Sequence, residues 1–276
     1  MKQELIPLPP GLSFIRRLQF PHKLGVLEKL YGRVLCRQGV QWVQTSNGII
    51  WKLDLSDVTQ RWIVYGDYEG PLQMQWIMKW LSGGGLVVDS GANIGQMLLY
   101  LAPLSGVHVL AFEPVQKNRE WLQQCLSLYP SWSVQLIEKG LSDAEDVKTF
   151  QLDGGRSTTR LDWYQGKDLE TMQLAVVRLD QVVSGETIRL WKLDVEGGEL
   201  EALAGATRLF EEKKIDAVLV EVCKDHLTAM TDFLKPFGYV LYAFGHGGQL
   251  DPAPEALTET TNLIALQGDV EHSLRT

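Results

Sequence analysis

Leu86-Val-Val-Asp-Ser-Gly-Ala-Asn-Ile-Gly95 decides how this chain is read. Apolar residues run into Asp89, glycines stand at 91 and 95, and a helix-forming run starts at Gln96. That order predicts a buried strand, a tight turn and a helix, the first half of a nucleotide-binding βαβ unit. The return strand follows: Val107–Phe112 is apolar and β-rich, and it ends in Glu113-Pro114. Asp89 and Glu113 are 24 positions apart, the length of one turn, one helix and one strand. A carboxylate at the tip of that second strand is placed to accept from both hydroxyls of a ribose.

The turn itself narrows the ligand. A dinucleotide fingerprint would put glycines at 91, 93 and 96, but Asn93 and Gln96 occupy the last two positions. No Gly-Lys-Ser/Thr follows a glycine-rich turn, so a P-loop is absent. What remains, Asp-x-Gly-x-Asn-x-Gly, lets backbone approach a ligand with a ribose and no phosphate, and S-adenosylmethionine is the common one. The plain alternative is a glycine turn that only joins a buried strand to a buried helix.

Downstream the chain alternates strand and helix, the pattern of a parallel sheet covered on both faces. Helices are expected over 96–102, 115–128, 199–211 and 225–236. Further strands are expected at Ser133–Ile137, Arg189–Val195, Ala217–Val222, Tyr239–Phe244 and Asn262–Leu266. Residues 144–180 break the rhythm, with strands at Thr149–Leu152 and Ala175–Leu179 around a polar loop at 153–172. That loop is either part of a binding site or a surface excursion.

Upstream, Ser82-Gly-Gly-Gly85 ends a helix that opens at Pro71, where a missing N–H costs nothing. Val40–Gln44 and Ile49–Leu53 flank Thr45-Ser-Asn-Gly48 and predict a β-hairpin, with Asn47-Gly48 supplying positive φ angles. Trp62–Tyr65 is apolar and β-rich and reads as a further strand. Residues 14–35 mix apolar side chains with Arg16, Arg17, Lys23, Lys29 and Arg33, and Pro21 splits the run. This is either a basic amphipathic surface for peripheral membrane or partner contact, or helices with a solvated basic face. The expected organisation is an extension over 1–65, a core domain over 66–268 and a polar tail over 269–276.

Composition excludes several classes. The chain has 276 residues, 45% hydrophobic and 22% charged, the mix of a globular protein. A net charge of −8 argues against nucleic acid as the partner. Three widely spaced cysteines, Cys36, Cys125 and Cys223, give no disulfide framework or zinc knuckle and suit a reducing cytoplasm. Each lies in an apolar context and is expected in the core. No run of 18 apolar residues predicts a membrane span, and Met1–Pro10 has no secretory h-region.

Three motifs together resemble the FkbM family of S-adenosylmethionine-dependent methyltransferases: Val87-Val-Asp-Ser-Gly-Ala-Asn-Ile-Gly95, Ala111-Phe-Glu-Pro114, and Lys192-Leu-Asp-Val-Glu-Gly-Gly-Glu199. The last is the most specific, and Leu203-Ala-Gly-Ala206 follows it as in the family. Gly66-Asp-Tyr-Glu69, Leu179-Asp180, Val220-Glu221, Phe237-Gly-Tyr239 and Asn262-Leu-Ile-Ala265 add support. Gly198 stands where the family often has alanine. The resemblance covers roughly residues 60 to 266. It implies an α/β, Rossmann-like, seven-stranded class I methyltransferase sheet, here with an N-terminal helix and hairpin extension. It also implies O-methylation of a hydroxyl on a sugar, glycan or small natural product. Asp89 would then meet the methionine end of the cofactor or hold the loop, Gly91 and Gly95 would let backbone approach that end, Asn93 is a further cofactor-binding candidate, and Glu113 would hold the ribose. Ser142 and Asp143, at the tip of the third strand, are candidates for the adenine edge.

An alcohol is a weak nucleophile and benefits from a base or a metal. Asp194, Glu196 and Glu221 come from two strand ends and are the catalytic candidates, as a base or as holders of a divalent cation. The plainer reading of Asp194 and Glu196 is stabilisation of the helix N-terminus that follows. Lys192 is expected to pair with a carboxylate, and His226 and His246 are alternative bases. Two other functions fit part of the pattern: a catalytically silent cofactor-binding module with a docking N-terminal segment, and a nicotinamide-dependent oxidoreductase.

Overall fold

The computed structural model describes residues 4–66, 70–152, 159–160, 171–245 and 249–268. Asp67-Tyr-Glu69, most of the 153–172 loop, His246 and the 269–276 tail therefore lie outside the described residues. Two compact units emerge. One comprises Met1–Pro71 with Glu120–Ser131, the other Leu72–Arg119 with Trp132–Thr276.

In the first unit, helices Leu12–Ile15 and Lys23–Cys36 precede a hairpin of Val40–Gln44 and Ile50–Asp54. The hairpin forms as expected, but its turn differs. Only Gly48 has positive φ, at 88°, and the Gly48 N–H donates to Thr45 O. A three-residue loop closed by a glycine in the left-handed region replaces the two-residue turn. Trp62–Tyr65 is not a strand. It belongs to helix Val58–Tyr65, whose N-cap Asp57 accepts from the Thr59 N–H at 2.8 Å. The cap outweighs the β propensity of the apolar run. Arg61 then reaches out of that helix to Glu28, through Nε at 3.1 Å and a terminal nitrogen at 2.6 Å, and to Leu55 O at 2.8 Å. Tyr65 donates to the same carboxylate at 3.0 Å. Its hydrogen bonds hold Glu28 below the usual carboxylate range, with that from Arg61 the largest cause. Cys125 is buried in this unit, whereas Cys36 is exposed, because it falls on the outer side of its helix.

The second unit is built on a mixed sheet of eight strands, not seven. They are numbered in chain order: β1 Gly85–Ser90, β2 Val107–Phe112, β3 Ser133–Ile137, β4 Ile188–Leu193, β5 Ala217–Val222, β6 Tyr239–Phe244, β7 Leu250–Pro252 and β8 Thr261–Gln267. The spatial order is β7-β6-β8-β5-β4-β1-β2-β3. Pairs from β3 through β5 are parallel, while β8 runs antiparallel to both β5 and β6. The additional strand is β7, a short antiparallel return on the end half of β6.

Side chains alternate across the sheet. One face carries Val88, Phe112, Trp191, Leu193, Val218 and Val220 into a single apolar cluster with Leu203, Leu209, Phe210 and Met230 of the following helices. The expected helix 199–211 is two helices, Glu199–Ala204 and Thr207–Glu211, parted at Gly205. A Cβ on Gly205 would meet the Ser142 carbonyl oxygen at 2.0 Å, so the break seats this backbone against residue 142. Asp180 accepts from the N–H groups of Arg208 and Leu209 at 3.2 and 3.1 Å, opening the second helix. The strands around the polar loop pair antiparallel, Asp146–Leu152 with Thr171–Val177, in a separate four-stranded sheet.

Candidate active site

Strand order reverses between β1 and β4, and the carboxyl ends of open parallel strands beside such a reversal form a crevice. Asp89 is the last residue but one of β1, and register places Lys192 of β4 directly beside it. Asp194 stands two positions beyond Lys192. Glu221 stands two beyond Leu219, the β5 partner of Lys192. Period two therefore puts Asp89, Lys192, Asp194 and Glu221 on one face, opposite the apolar cluster.

The distances follow from that register. Lys192 Nζ lies 3.1 Å from Asp194 Oδ2, 3.7 Å from Asp89 Oδ1 and 3.4 Å from the Gly91 carbonyl oxygen. The expected pairing of Lys192 with a carboxylate is thus present twice. Asp89 is fully buried, and neither of its oxygens takes a hydrogen bond among the described residues. Burial raises its carboxyl above the usual range and the ammonium opposes that. Burial also raises Glu221, to about 7, with the negative charges of Asp194, Glu196 and Glu199 adding to it.

The glycine turn is drawn tightly onto the loop after β4. Gly91 has φ 73°, and a Cβ there would come within 1.9 Å of the Asp194 carbonyl oxygen. Only glycine fits such an approach. Asn93 and Glu196 both hold positive φ, 50° and 57°, and strained non-glycine backbone of this kind clusters at functional sites. Asn93 Oδ1 is buried without a hydrogen bond among the described residues.

Glu113 is buried just past β2. Its Oε2 accepts from the Asn93 N–H and its Oε1 from the Val115 N–H, both at 2.8 Å, and Asn118 approaches Oε1 at 3.4 Å. Burial raises its carboxyl to about 7 against these bonds. Ser142 is buried and its N–H donates to Val177 O at 3.0 Å. Asp143 is exposed, held below its usual range by the Ser142 hydroxyl and by Lys148 at 3.4 Å.

The helix Glu199–Ala204 has Gly198 at its N-cap and no side-chain cap hydrogen bond among the described residues, from Asp194 or otherwise. The Glu199 carboxylate accepts from the N–H groups of Val195 and Gly197 at 3.1 Å and ties the Asp194–Gly198 loop to the first turn of the helix. The side chain of Asp194 turns to Lys192 instead. Sequence reading gave Glu199 no task, although the last Glu of Lys-x-Asp-x-Glu-Gly-x-Glu was the available signal. His226 sits half-buried on a short 3-10 turn after β5, and His246 lies outside the described residues. No group of three or more His, Cys, Asp or Glu side chains among the described residues is arranged to hold a metal ion.

A family model described as the methyltransferase FkbM domain matches residues 89–241, from the glycine turn to the sixth strand. This chain belongs to the FkbM methyltransferase family. The AMB antimetabolite synthetase AmbE of Pseudomonas aeruginosa is 30% identical over 200 residues, which is 56% of this chain and 9% of AmbE. The chain thus spans about a tenth of that relative's length. Methyltransferase 1 of Beauveria bassiana is 32% identical over 175 residues, 52% of this chain and 68% of that protein. Among solved structures, TYW2 of P. horikoshii in complex with MeSAdo superposes with a TM-score of 0.44 at 15% identity, covering 96% of this chain and 88% of that one. In this FkbM domain, the Lys192–Glu199 motif and the glycine turn meet at one strand reversal, joined by the Gly91–Asp194 contact.

Proposed function

We propose that this FkbM domain transfers a methyl group from S-adenosylmethionine to a hydroxyl of a small natural product or sugar. The observation that carries the reading is the face shared by Asp89, Lys192, Asp194 and Glu221 at the strand reversal, where Lys192 pairs with Asp194 at 3.1 Å and burial raises the Glu221 carboxyl to about 7. A carboxylate with a pKa near neutrality suits removal of a proton from an alcohol.

The residues present fit the cofactor. The buried oxygens of Asp89 and the Asn93 Oδ1 lack hydrogen bonds among the described residues, as acceptors kept for a ligand's ammonium would. Asp89, Gly91, Asn93 and Gly95 would hold the amino-acid end. The lone pairs of Glu113 not used by backbone N–H groups would accept from the ribose. Ser142 and Asp143 would border the adenine. Bound there, the sulfonium supplies an already activated methyl group. The chain's part is alignment, exclusion of water and a base, and alignment alone supplies about 7–11 kcal/mol of a barrier in favourable cases. Glu221 takes the hydroxyl proton, while Lys192 holds the Asp194 side chain in place at 3.1 Å.

That AmbE is described as an antimetabolite synthetase favours a natural-product acceptor over a macromolecule. The test is incubation with methyl-labelled S-adenosylmethionine and cell extract, followed by identification of the labelled product. Label on an oxygen of a small molecule or sugar supports the proposal. Label confined to protein or nucleic acid overturns it.

A further inference from the structure

Residues 5–53 contain seven basic residues and one acidic one, Glu28, in a chain whose net charge is −8. Glu28 is turned inward onto Arg61 and Tyr65. The outer side of helix Lys23–Cys36 is therefore uniformly basic, with Lys29, Arg33 and, at the C-cap, Arg37 exposed. Arg17 is exposed on the preceding segment, and none of these four makes an ion pair among the described residues. The same side carries an apolar row. Val26, Leu30 and Val34 recur every four residues and are 38%, 59% and 49% exposed, while Leu27 and Leu35 fill the buried side. On the preceding segment, which Tyr31 ties to the helix by donating to Pro10 O at 3.3 Å, Phe14 and Leu18 are 71% and 44% exposed.

We propose that this face docks on an anionic lipid bilayer, with Val26, Leu30 and Val34 entering the headgroup boundary and Lys29, Arg33 and Arg37 lying among lipid phosphates. An apolar row bordered by a basic one along one helix side is the pattern of a helix lying in the plane of a membrane. Charge alone would suit a nucleic acid equally, but an exposed aliphatic row has nothing to bind on a phosphodiester backbone.

The test uses the full chain with phosphatidylcholine vesicles and with vesicles containing 30% phosphatidylglycerol, read by co-sedimentation and, separately, by size exclusion without lipid. Binding is expected only to anionic vesicles and to weaken in 0.5 M salt. Each basic side chain near such a surface contributes roughly fivefold in partition, so K29E/R33E should lose about 25-fold or more. L30S/V34S should also lower partition while leaving the thermal midpoint unchanged, since both side chains are already in solvent. Equal binding to neutral vesicles, no binding at low salt, or binding unchanged in both double variants would overturn the proposal. So would a concentration-dependent dimer that L30S/V34S dissolves, because a second copy would then cover the face.

Discussion

Glu113 Oε2 accepts a hydrogen bond of 2.8 Å from the backbone N–H of Asn93, so the acidic tip of β2 braces the glycine turn of β1 directly. One carboxylate thus shapes the loop and remains available to a ribose. Glu113→Gln keeps the shape but loses charge-assisted bonds worth about 1.5–3 kcal/mol. S-adenosylmethionine affinity should fall roughly ten- to hundredfold by calorimetry. Unchanged affinity would remove the ribose assignment.

The buried carboxyls make stability depend on pH. Glu113 and Glu221 rise from an ordinary 4.5 to about 7 in the folded protein. Between those values the folded state binds protons that the unfolded state has released. Unfolding free energy therefore decreases as pH rises from about 4.5 to 7, and this contribution is gone above 7. Urea midpoints across that range should decline more gently in Glu113→Gln than in the unaltered chain. Parallel slopes would show that Glu113 does not titrate there.

Activity should follow the opposite course. A base must be ionised, so turnover should climb through pH 7 with the Glu221 carboxyl. Glu221→Gln should lower kcat by about 10²–10⁴ and flatten the limb, with cofactor affinity little changed. A pH profile that keeps its limb in this variant would assign the proton to another group.

Gly91→Ala collides with backbone rather than with a movable side chain, at 1.9 Å from the Asp194 carbonyl oxygen and with φ at 73°. The left-handed conformation alone costs about 1–3 kcal/mol, and the collision adds to it. The thermal midpoint should drop and cofactor binding should disappear together. A stable variant with native affinity would mean that the two loops separate freely.

Arg61 anchors the first unit through Glu28 and two backbone carbonyls. Its removal leaves Glu28 facing Tyr65 without its cation, and Arg61→Ala should cost about 2–4 kcal/mol in chemical denaturation. Removing both partners should cost less than the two single losses combined, which a double-mutant cycle reads.

The main sheet was legible because its strands are long, apolar and evenly spaced, and because Asp89, Glu113 and Asp194 each mark a strand end. What stayed hidden depends on contacts remote in sequence. Helix Val58–Tyr65 reads as a strand until Asp57 is seen capping it. The task of Glu199 needs the fold of its own loop. The Lys192–Asp89 pairing spans two strands that only register brings together. β7 has no apolar pattern at all: Leu250-Asp-Pro252 is a strand only because β6 is there to pair with.

That short strand bears on how the molecule behaves in a crowded solution. Tyr239-Val-Leu-Tyr-Ala-Phe244 is six apolar or aromatic residues with no charge and no proline, the composition of a segment that templates cross-chain pairing when left bare. β7 lies over its end half. The Ala253 N–H donates to Leu241 O, so the neighbouring Pro252 turns its ring nitrogen, which has no hydrogen to give, toward the open side. With the carboxylate of Asp251 beside it, this rim offers an arriving strand little to hold. Three inconspicuous residues thereby act as a guard against self-association, and a chain lacking them would be expected to form aggregates before it loses its fold.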